Sequence, residues 1–183
     1  MTPFSAPVDD ILASLIHVAG AERLPDWDSE MAREILGHFA DFAEGEIAPL
    51  DAQGDRQGCR IEGGRVRMPD GFKQAYAAYV AGGWAALSCA PEDGGQGLPA
   101  LLNAALNEMI AAANHGWTMY PGLLHGAYEV VLHHGTPALQ ALYLDKLVSG
   151  TWLGTMCLTE PQAGSDLGLV RTQATVPAGE PGL

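Results

Sequence analysis

From residue 4 to about 150, apolar residues return every three or four positions in segments separated by Gly and Pro, a rhythm that fits packed helices rather than a sheet. In "DSEMAREILGHFADFAEGEIAPL", Met31, Ile35, Leu36, Phe39, Phe42 and Ile47 fall near one face, Asp28 or Ser29 caps the start, and Pro49 is expected to stop the helix. "PDGFKQAYAAYVAGGW" places Phe72, Tyr76, Tyr79 and Val80 together and closes on Gly82 and Gly83; its aromatics read as core. A Gly-rich loop then leads into a helix with Pro99 near its first turn and Leu101, Leu102, Ala105, Leu106, Met109 and Ile110 inward. "PGLLHGAYEVVLHHG" and "TPALQALYLDKLVSG" predict two further helices, packed as antiparallel neighbours of a bundle. Residues 51–67 have no sustained period and read as a long excursion carrying a short hairpin around "IEGGRV".

The pattern changes after Gly150. "TWLGTMCLT" is β-prone and "LVRTQATV" alternates, so two strands joined by a turn over 160–168 are expected, the chain entering a β domain that it does not complete, or that another chain completes. The fold class is therefore mostly α, a helical bundle over residues 1–150 followed by the first strands of a β domain over 151–183.

Charge and cysteine usage narrow the function classes. Asp and Glu outnumber Lys and Arg 22 to 9, a net charge of -13 that opposes nucleic-acid backbones and anionic membrane surfaces. Cys59, Cys89 and Cys157 show neither paired nor C-x-x-C spacing and read as buried small hydrophobes in a reducing compartment. The N-terminus lacks a basic region before Arg23, and no apolar run has membrane-spanning length, so a soluble cytoplasmic protein is expected. His133 and His134 are adjacent and diverge by about 100° on a helix, His115 and His125 lack partners at ligand spacing, and no metal site is expected; all six histidines read as capping or packing residues.

One stretch carries chemistry: "GTMCLTEPQAGSDLG", residues 154–168. Pro161 forces Glu160 into an extended conformation, which turns the Thr159 hydroxyl and nearby N–H groups outward. Ala163 and Gly164 remove bulk, so a flat ligand or a phosphate approaches the main chain, and Ser165 adds a donor. This suits a conjugated ring carrying a diphosphate; the competing reading is an ordinary surface turn in which Ser165 and Asp166 bond their own backbone.

"MCLTEPQAGSD" resembles the signature of the acyl-CoA dehydrogenases, flavoenzymes that introduce a double bond between the α and β carbons of an acyl-CoA thioester. "GWAALSCAPEDGGQGLPALLNAALNEMIAAAN" is similar to that family's Pro-Glu-x-x-Gly-Gly-x-Gly loop and following helix, and the resemblance covers most of residues 29–175. The extra N-terminal helix, "GGRVRMPDGFKQAY" and "LTEPQAGSDLGLVRTQA" look most like the larger, 3-methylmercaptopropionyl-CoA dehydrogenase-like members.

The resemblance implies an N-terminal helical domain leading into a β-barrel domain, with FAD as cofactor. It implies that Met156, Cys157, Leu158, Thr159, Gly164 and Ser165 form the FAD-facing set, Met156 and Leu158 flanking the isoalloxazine and Thr159 donating to its pyrimidine edge. Ser165 would lie near the flavin diphosphate and the substrate's pantetheine, while Met156 stands where the family often has an aromatic. In the family a glutamate removes the α-proton while the β-hydrogen leaves as hydride to flavin N5, the protein orienting both. That base belongs to a C-terminal helical domain not represented in these 183 residues, so no catalytic residue is assigned; Glu160 reads as scaffold, and Glu108 and Glu129 as helix-surface or capping partners.

Acyl-CoA substrate, an electron-transfer flavoprotein and a homo-oligomer or partner chain follow as expectations, together with inactivity of the chain alone. A non-catalytic binding or assembly module of the same fold is the alternative; a nucleic-acid-associated relative would need a basic surface. The faces carrying Leu101 with Met109 and Leu123 with Val131 are expected to lack partners and to promote self-association.

Overall fold

Two carboxylates, Asp9 and Asp10, suit the electropositive first turn of helix α1 (Val8–His17), which buries Ile11 and Leu12 against the rest of the chain. The structure, a computed structural model, describes residues 3–176. Helix α2 (Ser29–Phe42) starts where the Asp28 carboxylate accepts from the amides of Glu30 at 2.8 Å and Met31 at 3.0 Å. Its inward face holds Leu36 and Phe39, fully buried, with the small Ala32 and Ala40 filling the gaps between them.

Pro49 does not end the helical path. The chain widens into a π turn over Ala43–Ile47, passes through a single 3₁₀ turn at Ala48–Leu50 and continues as α3 (Asp51–Gln57). A proline lacks an N–H and crowds the carbonyl four residues back, and the wider turn ahead of Pro49 accommodates both. The expected irregular excursion is thus helical over its first half. Gly54 is required there because a Cβ would lie 2.6 Å from Cζ of Phe72. The expected hairpin is present: β1 (Arg60–Glu62) pairs antiparallel with β2 (Arg65–Arg67), and Gly63 and Gly64 at φ 59° and 73° form the turn.

Helices α4 (Phe72–Ala81), α5 (Ala100–Ala113) and α6 (His115–Thr118) complete the main core. The aromatics are core, as their spacing implies: Phe39 meets Trp84 edge-on at 4.9 Å and Tyr79 meets Trp117 at 5.7 Å. Buried Asn114 joins three elements. Its Oδ1 accepts from Trp117 N at 2.9 Å, capping α6, and its Nδ2 donates to the Ile47 carbonyl at the end of the π turn. The Trp117 indole donates to Phe72 O at 3.2 Å.

Helices α7 (Leu124–His134) and α8 (Pro137–Val148), the latter capped by Thr136, pack together over a second core of Leu124, Tyr128, Leu144, Leu147, Val148 and Cys89. The Gly-rich loop ahead of α5 is fastened to this core. Tyr128 Oη accepts from Ala90 N at 3.0 Å and donates to Asp93 Oδ2 at 2.8 Å, while a Cβ on Gly95 would lie 2.1 Å from the Cys89 carbonyl oxygen. Burial pushes the Tyr128 phenol up to about 12, so it stays protonated and keeps donating.

Three expectations are corrected. Cys59 and Cys157 are exposed, and only Cys89 is a buried hydrophobe, its thiol pushed up to about 11 by burial and the nearby Glu129 and Asp93 carboxylates. Met109 is inside the core at 1% exposure, and Leu101, Leu123 and Val131 are half-buried, so those faces are less open than the sequence implies. The segments around 151–159 and 169–176 form no strands among the described residues. The one β-type bridge there links Glu160 to Ala163, because β-prone residues form a ladder only against a neighbouring strand. Residues 177–183, part of the expected β segment, lie outside the described residues.

Candidate functional site

The helical scaffold determines where the signature stretch begins. Beyond α8 the chain turns at Gly150, whose φ of 67° favours glycine and where a Cβ would lie 2.7 Å from Cγ2 of Val80. Tyr76 on α4 donates to the Gly150 carbonyl at 2.7 Å, and Trp152 N donates to Lys146 O at 3.0 Å while its ring rests 5.8 Å from that of Tyr143. The chain then crosses α7 at Gly154, where a Cβ would lie 2.3 Å from Cβ of Ala127. No side chain fits at that crossing. Three helices, α4, α7 and α8, therefore fix the direction in which residues 155–168 leave the bundle.

Beyond Gly154 the stretch is open. Met156 is 62% and Leu158 39% exposed, and Cys157, Thr159, Gly164 and Ser165 are exposed as well. The peptide N–H groups of residues 156–159 and of Gly164 and Ser165 reach no protein acceptor among the described residues. An added Cβ on Gly164 would meet nothing within 4 Å. Ala163 differs from expectation: it is buried at 1%, so the clear approach to the main chain lies at Gly164.

Glu160 holds this turn in shape. Its N–H donates to Ala163 O at 2.8 Å, and the return bond from Ala163 N to Glu160 O is 3.1 Å. Its carboxylate accepts from the Arg171 and Thr172 amides at 2.9 Å each, from the Thr172 hydroxyl and from the Gln162 side chain. These donors, the Thr172 hydroxyl foremost, hold the carboxyl down at about 2. Such an anion is a clasp and a poor base. Nothing in the sequence alone pointed to Thr172 as its partner, because the contact spans twelve residues.

Asp166 does bond its own backbone, accepting from Gly168 N at 3.0 Å, as the surface-turn reading required; Ser165 has no such bond among the described residues. Of the other acids weighed, Glu108 is exposed on α5, and Glu129 lies on α7 between His125 at 3.4 Å and His133 at 3.0 Å. Among the described residues, no group of three His, Cys, Asp or Glu could hold a metal ion, and no helix is long and apolar enough to cross a membrane.

Chemically, the stretch joins apolar side chains, uncommitted N–H and hydroxyl donors and one position without a side chain. That set fits a flat apolar ring with a polar edge and an anionic tail.

A helical bundle that launches such a stretch from its last helix is the build of an acyl-CoA dehydrogenase N-terminal region. Residues 29–151 match the family described as acyl-CoA dehydrogenase, N-terminal domain, and the chain belongs to the acyl-CoA dehydrogenase family. It is 42% identical over 177 residues to the 3-methylmercaptopropionyl-CoA dehydrogenase of Ruegeria pomeroyi, covering 93% of this chain and 30% of that protein. It is also 31% identical over 182 residues to the broad-specificity linear acyl-CoA dehydrogenase FadE5 of Mycobacterium tuberculosis, covering 95% and 30% of the two. A butyryl-CoA dehydrogenase of Syntrophomonas wolfei is 34% identical over 140 residues, 75% of this chain and 23% of the relative. The chain thus spans less than a third of the length of these relatives.

Proposed function

We propose that residues 156–165 form one wall of an FAD site and that the protein takes part in α,β-dehydrogenation of an acyl-CoA thioester, 3-methylthiopropanoyl-CoA-like or fatty acyl. What carries this reading is the exposed, donor-rich stretch anchored on three helices and held in shape by Glu160. When bound, FAD supplies the hydride acceptor. Met156 and Leu158 give the ring an apolar surface, the Thr159 hydroxyl donates to its polar edge, and Ser165 with the open N–H at Gly164 receives the diphosphate. Ser165 also stands toward the substrate's pantetheine. Cys157 contributes its backbone and a small side chain.

The proton-abstracting base comes from outside these residues, and the chain alone does not turn over. The committed, strongly acidic carboxylate of Glu160 supports this assignment. The same reading divides the chain into a helical domain over residues 1–150 and the start of a β domain over 151–183. It also implies a homo-oligomer in the cytoplasm that passes electrons to an electron-transfer flavoprotein.

The test is a titration of FAD with the 183-residue chain, followed by flavin fluorescence anisotropy. Binding is expected, weakened about tenfold by Thr159→Val and by Ser165→Ala, the loss of roughly one hydrogen bond each. Anisotropy that never rises, or that rises in both variants as it does in the unaltered chain, overturns the assignment of these residues.

A further inference from the structure

The hairpin β1–β2 stands apart from the chemistry above. All six of its strand residues are exposed, Ile61 at 80% and Val66 at 63%. These two are partners in the ladder and so share one face, while Arg60, Glu62, Arg65 and Arg67 occupy the other. A two-stranded hairpin bare on both faces is marginal in water. This one is nevertheless built firmly at its base: Gln57 donates to Asp70 Oδ2 at 3.1 Å and accepts from Asp70 N at 2.8 Å, and Gln53 donates to Asp70 O at 3.2 Å.

Charge is strongly segregated around it. Of the 9 basic residues of the chain, Arg56, Arg60, Arg65, Arg67 and Lys73 fall within residues 56–73. Glu62 pairs weakly with Arg60 at 3.6 Å and Arg67 at 3.7 Å, and Arg65 has no acidic partner among the described residues. Residues 9–55 carry the opposite sign, with Arg23 and Arg33 the only cations among a long series of acids. On α2, Glu30, Glu34 and Asp41 are exposed and share one helical stripe with Gly37, and the π turn extends it to Gly45; an added Cβ at either glycine would meet nothing within 4 Å.

We propose that the β1–β2 hairpin is a docking arm that binds the acidic stripe of α2 on a second copy of this chain. The arm's arginines, on the face opposite Ile61 and Val66, meet Glu30, Glu34 and Asp41. Glu34 and Asp41 stand about 10 Å apart along their helix. Arg60 and Arg67 sit opposite each other, with Arg65 about 7 Å further along, so the arm's charges match that spacing within side-chain reach. The bare Gly37 and Gly45 positions let the strand backbone lie close to α2. Charge complementarity selects the occupant: the acidic stripe that the arm needs is present in every copy, and its attraction for the arm has to exceed the general repulsion between two chains of -13 each.

Sedimentation velocity on the 183-residue chain tests this without reference to flavin. At about 50 mM salt a self-associated species is expected, dissociating as salt rises to about 500 mM and the screening length falls below the ion-pair network's extent. The triple variant Arg60→Glu, Arg65→Glu, Arg67→Glu is expected to be monomeric at low salt with its helical circular dichroism and thermal transition retained, because residues 60–67 contribute to neither core. The reciprocal Glu34→Lys, Asp41→Lys variant is expected to be monomeric alone, and mixing it with the arm variant restores association. A wild-type chain that is monomeric at low salt, association that survives the arm reversal, or a mixture that stays monomeric overturns the proposal.

Discussion

Glu160 shows how one side chain sets the form of the candidate site. A glutamate before a proline is extended by steric necessity, and in this position its carboxylate collects two amides and a hydroxyl from residues 171 and 172. Those donors prefer the charged form, which lowers the carboxyl from 4.5 to about 2. Because the folded value lies below the ordinary one, the clasp is fully kept above about pH 4.5 and is lost as pH falls toward 2. A carbon-detected NMR titration of the Glu160 carboxyl is expected to give a midpoint near 2, with the Arg171 and Thr172 amides shifting in step. A midpoint at the ordinary glutamate value, or amides indifferent to it, would mean the turn is open in solution.

At the scale of elements, α6 depends on a single amide side chain. Asn114 is 2% exposed and serves both the Trp117 N–H and the Ile47 carbonyl, so Asn114→Ala leaves two interior groups without partners. The expected loss of stability is about 1–3 kcal/mol, measured by urea denaturation; Asn114→Asp, which keeps the acceptor and removes the donor, should lose less. Equal stability of the alanine variant would show that α6 is held by packing alone.

Most helices were legible in the sequence because their caps and apolar spacing agree, as at Asp28 with Leu36 and Phe39 or at Thr136 with Leu144 and Leu147. Helix α3 was not, because Gly54 and Gly58 read as loop, and the need for Gly54 is visible only once Phe72 is packed against it. Helix α6 is shorter than any periodic pattern can reveal. The β-prone residues 151–159 predict a strand, but strand preference measures fit to a neighbouring strand, and none pairs with them among the described residues. The signature itself was visible from residue types, whereas the Glu160–Thr172 contact that shapes it was not, since it joins residues from either side of the turn.

Across the whole molecule, the two cores have separate tasks. The larger one, built on α1, α2 and α4–α6, supplies the rigid body, and the smaller one under α7 and α8 fixes both the Gly-rich loop and the start of the signature. The acidic body and the basic arm then give the chain an uneven charge distribution. The measurement that bears most directly on the central claim is an amide chemical-shift map of the 183-residue chain during titration with FAD. The largest changes are predicted at residues 156–159 and at Gly164 and Ser165, with the hairpin and α1 unmoved. A map centred elsewhere, or a spectrum that FAD leaves unchanged, would contradict it.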